Sequence, residues 1–520
     1  TSDNMIKIAN NFNKLLIGAL LAVPVLGGMS GCKKFLDRQP LSATQDDLSL
    51  GALEGKALAL YGAVRNSKAD PYCGDGFQSI PWVAMNGFRS DDAEIVADPG
   101  ASAWRQTYDN FQYTKDDWGA GLYWDKHYIF IGLCNDVMDE AAKGGYTDPA
   151  SLTNIAEAKF FRAYSYFDLV RTFGDVPKID FKINTPTDGH KAKSPAAQIY
   201  AFIESDLTYA EQYLPQAWGA TFSGRLNKAA ARTFLAKVKL YQQKWAEALT
   251  HCKQVMASRQ GGAAAPLYTP YWKIFKKEGE LCEESIFEIQ AHKEAGDGDR
   301  YWSRLGQCQG VRGASGSPWD LGWGWNTPTA SLESSYEAND QRKAATILYS
   351  NQSDGGSSTG GYGQTIPNLT NALYWNKKVY NLFTEYQAAG LGTPNNEAQN
   401  TWVNHRVFRM ADIYLMAAEA ANEVGGAQNQ ADAVTWVNMV RTRAGLTNIA
   451  FVSQSQMRAA IKQERRAEFA MEFERFFDLV RWGDAITVLG PSGYANKHRY
   501  YPIPNSALNG NPSLVQNPEW

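Results

Sequence analysis

None of the six cysteines stands in a CxxC pair, and none of the six histidines falls at i,i+4 spacing or within HExxH, so the usual zinc arrangements are missing. The stretch Gly313-Ala314-Ser315-Gly316-Ser317 lacks the closing glycine of a nucleophile elbow, and no phosphate-cradling or dinucleotide-binding glycine loop occurs. No cofactor and no metal are therefore expected. With 51 Lys and Arg against 54 Asp and Glu, the net charge is −3, and the cation excess that a nucleic-acid partner requires is absent. After residue 31 no apolar run approaches the roughly 20 residues of a bilayer-spanning helix.

What the chain does contain begins with Lys7 and Lys14, an apolar stretch from Leu15 to Leu26, and the small residues Gly27, Gly28, Ser30 and Gly31. This is the layout of a secretory signal peptide, assigned to residues 1–31 and excluded from the fold. Met29-Ser30-Gly31-Cys32 resembles a bacterial lipobox, with Met29 where Leu is usual. Cleavage before Cys32 would expose a cysteine acylated on sulfur and amine. Two or three acyl chains, at about 0.8 kcal/mol per buried CH2, hold a soluble domain on a membrane. The remaining Cys73, Cys134, Cys252, Cys282 and Cys308 form an odd set, so at least one free thiol is expected.

Helical periodicity occupies two blocks, roughly 120–260 and 405–485. From Asn154 to Gly174, residues Phe160, Ala163, Tyr164, Phe167 and Val170 share a face, and Asp175-Val176-Pro177 ends the helix. A second helix is predicted over Pro195–Leu214 with Ser194 as N-cap. Asn227–Ala257 reads as a helical pair turning at Lys244-Trp245, as do Arg406–Val424 with Gln430–Ala444, and Gln456–Asp484 near the end. These are degenerate tetratricopeptide-like units, and the expected fold is all-α: helix pairs in an α-α superhelix with a loop-rich insertion. The expected regions are 32–260, the insertion 261–404, and 405–520. The insertion, rich in Gly, Ser, Asn and Trp, is too long for one ordered loop and is predicted to lay short strands and helices over the scaffold. Its stretch Asn351–Gly363 is expected to be mobile at the tip.

Aromatic residues are abundant, with 16 Trp, 26 Tyr and 23 Phe. Trp302, Trp319, Trp323 and Trp325 lie close together in a glycine-rich stretch, unlike a helical or strand core. Sugars present flat C–H faces and rims of hydroxyls, so rings combined with planar polar groups suit them. A second such cluster holds Trp82, Arg89, Asp91, Asp92 and Trp104. The acidic pairs Asp91-Asp92 and Glu283-Glu284 are sequence neighbours and cannot easily flank a glycosidic bond, so surface or capping roles are expected and no catalysis. The run Gln463–Glu468 with Glu472, Glu474 and Arg475 is spaced for ion pairs along one helix, its arginines tying the C-terminal helices to the last loop segment.

Five segments carry a resemblance: CKKFLDRQP from Cys32, FFRAYSYFDLVRTFGDVP, RMADIYLMAAEA, IKQERRAEFAMEFERFFDLVRWGD and the tail YPIPNSALNGNPSLVQNPEW. Through them the chain resembles the SusD/RagB family of outer-membrane nutrient-binding lipoproteins. The resemblance implies a surface-exposed, lipid-anchored receptor on a tetratricopeptide-like scaffold. Its partner would be a SusC-like TonB-dependent transporter, to which it hands oligosaccharide or polysaccharide. Tyr301 and Trp323 fall where the family places stacking aromatics, and Arg89-Ser90-Asp91-Asp92 matches its acidic N-terminal signature. Ile95 and Ala97 stand where some members carry tryptophans, which weighs against a starch-like aromatic arc. The candidate ligand residues are Trp82, Arg89, Asp91, Asp92, Trp104, Tyr301, Trp323 and Trp325. The alternatives are a peptide-binding receptor of the RagB type, a surface glycosidase and a structural scaffold.

Overall fold

The computed structural model describes residues 52–65, 80–95, 103–259, 267–292, 301–314, 317–368, 370, 372–382 and 402–520. The expected signal peptide, Cys32 and Cys73 lie outside the described residues.

Helices α1 (Glu54–Arg65) and α2 (Ile80–Gly87), strand β1 (Ala93–Glu94) and helix α3 (Trp104–Asp109) precede two long helices. α4 (Trp118–Gly144) starts where the Asp117 carboxylate accepts the Ala120 amide at 2.9 Å, and it ends at Gly145, whose φ of 62° favours glycine. α5 (Pro149–Phe173) has Pro149 in its first turn and Asp148 accepting the Ser151 amide at 3.0 Å. The predicted face of α5 is buried, and so is most of its circumference, including Phe160, Phe161, Tyr166 and Leu169. Each such side chain removed from water is worth about 1.5–3 kcal/mol.

β2 (Val176–Pro177) and β3 (Lys193–Ser194) pair before α6 (Ala196–Tyr213). Ser194 is not the cap that the sequence suggested: it lies in β3 opposite Val176, and the Asp175 carboxylate takes the Ala196 amide at 2.8 Å. α7 (Lys228–Tyr241) and α8 (Trp245–Arg259) form the predicted pair, turning through Gln243 at a φ of 57°.

The insertion supplies β4 (Ser285–Ile289), α9 (Arg304–Gln309), β5 (Thr327–Pro328), α10 (Ala330–Ser335), α11 (Gln341–Thr346), β6 (Ile347–Tyr349) and β7 (Tyr374–Asn376). It returns to the scaffold through β8 (His405–Arg409), followed by α12 (Met410–Val424), α13 (Ala427–Arg443), α14 (Gln454–Phe469), α15 (Arg475–Trp482), α16 (Ala485–Leu489) and α17 (Asn505–Gly510). Successive neighbours from α4 to α8 pack on one another, α8 packs on α12, and α12 on α13 and α14. The small residues Ala411, Ala417, Ala418, Ala420 and Ala421 let α12 sit buried from Met410 to Asn422 at that junction. The architecture is the predicted all-α stack of helix pairs. One contiguous core runs through it, and smaller apolar clusters lie under the insertion.

Two local expectations change. Residues 406–409 belong to β8, which pairs antiparallel with β4, rather than to a helix. The helical unit expected over Gln456–Asp484 is present as α14 and α15, which part where Met471 and Phe473 take φ values of 63° and 69° and Glu472 between them accepts from Arg409 at 2.8 Å and Lys378 at 2.7 Å. The stretch Asn351–Gly363 is wound around Asp354, whose carboxylate accepts the amides of Gly356, Tyr362 and Gly363 at 2.9, 2.6 and 3.1 Å. Those backbone bonds outweigh burial and hold its carboxyl below the usual range.

The charged run also departs from expectation. Glu464, Arg465 and Glu468 are buried, so their partners come from other elements rather than from along α14. Arg465 reaches Asp412 at 2.9 Å and Asp478 at 3.0 Å, and Glu468 is surrounded by Arg409, Arg443 and Arg342. Arg342 belongs to the insertion, so this network fastens the insertion to α12, α13 and α14. The tail is held differently, with the Trp520 ring stacked 5.8 Å from Tyr113 and its Nε1–H donating to the carbonyls of Lys497 and Tyr500. Among the described residues no helix is long and apolar enough to cross a membrane.

Candidate functional site

The chain from Leu321 to Trp325 reads LGWGW and runs beside the end of α9. Leu321, Trp323, Gly324 and Trp325 donate their amides to the carbonyls of Val311, Gln307, Gly310 and Cys308 at 2.7–3.0 Å. The two glycines are required by contact. A Cβ on Gly322 would lie 2.5 Å from the Gly310 Cα, and one on Gly324, at a φ of 66°, would lie 2.7 Å from the Trp375 ring. The tryptophans that alternate with them meet at 4.5 Å between ring centroids.

From the other end of the chain, α3 brings Trp104 to the same place. Its ring stands edge-to-face with Trp325 at 5.8 Å and with Trp118, the first residue of α4, at 5.0 Å. The two sequence clusters thus meet in one group of four tryptophans. Trp118 is 46% exposed, and Trp104, Trp323 and Trp325 are half-buried. The Arg105 guanidinium lies 4.8 Å from the Trp325 ring and that of Arg304 lies 5.6 Å from Trp323, within the range of cation–π attraction. Trp118, Arg105 and Arg304 were missed by sequence reasoning. Trp118 carried a signal: at the start of α4 it falls off the buried stripe of Ala120, Tyr123, Trp124 and His127.

α3 also carries Asp109. Burial, reinforced by Glu94 in β1, pushes its carboxyl up to about 7. The Glu94 carboxyl is itself raised by burial. β1 pairs with β5 so that Glu94 faces Thr327, two residues beyond Trp325.

The other predicted ligand residues lie elsewhere. Trp82 is 2% exposed in α2, packs against His405 and Phe473, and donates its Nε1–H to Asp168 at 3.0 Å. Arg89 is 1% exposed, with its guanidinium between the rings of Phe476 and Tyr501 at 3.8 and 4.1 Å and its Nε–H donated to the Met85 carbonyl. Asp91 accepts from Arg475 at 2.8 Å and pairs with Arg466 at 2.9 Å; Asp92 accepts from Arg466 at 2.7 Å. Burial works against ionisation at Asp91, but the two arginines outweigh it and lower its pKa, whereas at the fully enclosed Asp92 burial prevails and raises it. Arg466 and Arg475 therefore join the C-terminal helices to the N-terminal acidic loop, not to the last segment as expected. Tyr301 is 43% exposed beneath Arg65 of α1, whose Cζ lies 5.3 Å from its ring. Among the described ring contacts it meets none of the four tryptophans.

Among the described residues no cluster of His, Cys, Asp or Glu is arranged to hold a metal ion. The arrangement offers the exposed ring of Trp118 and three half-buried indoles, with the guanidinium groups of the buried Arg105 and the half-buried Arg304 against them, a combination suited to a flat, hydroxylated ligand.

Comparison with known proteins agrees with this architecture. Residues 283–499 match the SusD family, and residues 81–240 match a family described as starch-binding, associating with outer membrane. SusD-like protein P2 of Formosa agariphila is 28% identical, covering 82% of this chain and 86% of its own. The starch-binding protein SusD of Bacteroides thetaiotaomicron is 24% identical, covering 82% and 84%. Among solved structures, a laminarin-binding SusD-like protein superposes with a TM-score of 0.73 at 26% identity, over 90% of this chain and 99% of that one. With the helix-pair scaffold and both matched regions in place, the chain belongs to the SusD/RagB family.

Proposed function

We propose that this protein is a cell-surface receptor that captures oligosaccharide or polysaccharide at the cluster of Trp104, Trp118, Trp323 and Trp325 and passes it, uncleaved, to a SusC-like TonB-dependent transporter of the outer membrane. The observation that carries the reading is the meeting of these rings, from segments far apart in sequence, at the surface with Arg105 and Arg304 against them. Relatives named for starch and laminarin binding support glycan as the ligand class. Membrane attachment is assigned to an acylated Cys32, on the strength of Met29-Ser30-Gly31-Cys32.

Isothermal titration against a panel of polysaccharides and oligosaccharides tests the reading. Trp104→Ala and Trp325→Ala should abolish binding of whichever glycan the native protein takes while leaving the thermal midpoint within a few degrees. Unchanged binding in both variants, or capture of peptides in place of glycans, would sink it. One observation favours a second reading, a surface glycosidase: the elevated Asp109 carboxyl close to Glu94 resembles an acid partner. Release of reducing ends from a bound glycan, lost in Asp109→Asn, would establish that alternative.

A further inference from the structure

Beside the tryptophan cluster opens a cleft of about 540 Å3, bounded by Lys115, Asp116, Trp118, Leu122, Asp125 and Ser506. Its two walls, the start of α4 and the start of α17, come from opposite ends of the chain. They are joined by Asn505, which donates its side-chain amide to Asp116 and its backbone amide to the Lys115 carbonyl, both at 2.8 Å. Gly121 allows the close approach at the floor, since a Cβ there would lie 3.2 Å from the Ser506 hydroxyl. The exposed ring of Trp118 stands at the mouth, in contact with Trp104. A ligand lying across the four rings thus has a built path into the cleft.

The chemistry of the walls selects what enters. Lys115 is the cation among the lining residues, set against Asp116, Asp117 and Asp125. Carboxylates accept hydrogen bonds from hydroxyl groups and repel other anions at short range. Asp125 is exposed on the cleft wall, so its carboxylate is open to an entering hydroxyl group. We infer that this cleft is a second saccharide subsite, contiguous with the tryptophan cluster through Trp118, that takes a neutral segment of the same glycan chain. The inference rests on the glycan reading above and adds to it a preference for length and for uncharged sugars.

The test is calorimetric titration of the whole protein with neutral gluco-oligosaccharides from disaccharide to heptasaccharide and with oligouronates of matching length. The native protein is compared with Asp125→Ala and with Ser506→Phe, which obstructs the cleft at an exposed position. Circular dichroism verifies that each variant is folded. Native affinity should rise with neutral chain length. Both variants should lose about tenfold for the long chains, a difference of about 1.4 kcal/mol, and little for the shortest. Long oligouronates should gain less from length than neutral chains, and an equal gain would overturn the preference for uncharged sugars. If the native protein binds neutral chains and both variants keep its full length dependence, the cleft assignment is overturned and the tryptophan cluster stands. If the native protein binds no glycan of any length, both readings fall together.

Discussion

Replacing Glu468 with Gln preserves shape and removes one negative charge from the centre of the buried network. Glu468 is fully enclosed, paired with Arg409 and Arg443, and has a third guanidinium, that of Arg342, at 3.2 Å. Burial disfavours its ionisation, yet the three arginines outweigh burial and hold its pKa well below the ordinary value. Breaking a buried ion pair from one side costs about 3–5 kcal/mol, because the charges left behind stay enclosed. Glu464, one turn earlier, is the control. It pairs with Arg342 and, at 3.2 Å, with Arg441, but there burial prevails and its pKa is raised.

The two depart in opposite directions from the unfolded value of about 4.3. Stability linked to ionised Glu468 is fully present above that value and lost as pH falls through the lower folded one; stability linked to protonated Glu464 is lost as pH rises through its folded value. At pH 7, Glu468→Gln should therefore lower the urea midpoint by the equivalent of about 3–5 kcal/mol at constant slope, and Glu464→Gln by much less. At the lowest pH where the native protein stays folded, the Glu468→Gln deficit should shrink. An equal or larger loss in Glu464→Gln, or a deficit independent of pH, would refute the reasoning.

Three further outcomes are expected. Asp109→Asn should gain thermal stability relative to the native protein as pH rises from about 4 towards 7: the native carboxyl, raised in the fold, loses stability through that window and the amide does not, so a constant difference between pH 5 and pH 8 would contradict the placement of Asp109. Gly322→Ala should weaken glycan binding and shift tryptophan emission, because its Cβ would force the LGWGW segment off the Gly310 backbone; native emission and affinity would show that the close approach is dispensable. Trp82→Phe should lose about 1–3 kcal/mol, because the buried Asp168 Oδ2 loses its indole donor while Arg171 still holds Oδ1, with glycan affinity unchanged in titration, and a loss of affinity at full stability would return Trp82 to the ligand site.

The helix pairs were legible because long apolar stripes at helical spacing identify themselves, as at Phe160, Tyr164 and Phe167. The candidate site was half legible. Glycine-flanked rings marked Trp323 and Trp325, while the glycine- and proline-containing N-terminal stretch marked Trp104 and misled at Trp82 and Arg89. Pro81 to Gly87 of α2 are all buried, so that short helix has no polar face to reveal a period and reads like a loop. At Asp91 and Asp92 the sequence shows two acids side by side, and nothing local announces that Arg466 and Arg475 will answer them from the other end of the chain. The strand character of residues 405–409 was equally hidden, since it depends on β4 lying alongside rather than on the segment's own spacing.

The antiparallel pair of β4 and β8 has an evolutionary consequence. The segment that presents Trp323 and Trp325 leaves and rejoins the scaffold through two adjacent strands, so its two chain ends lie side by side, the geometry that lets a segment be replaced as a unit. A graft would take only if it also brought its own cations, because Arg342 and Lys378 travel with the segment while Glu464, Glu468 and Glu472, which they neutralise, stay behind. A recipient receiving new rings without those two residues would inherit the aromatic face and lose the latch that keeps it in place.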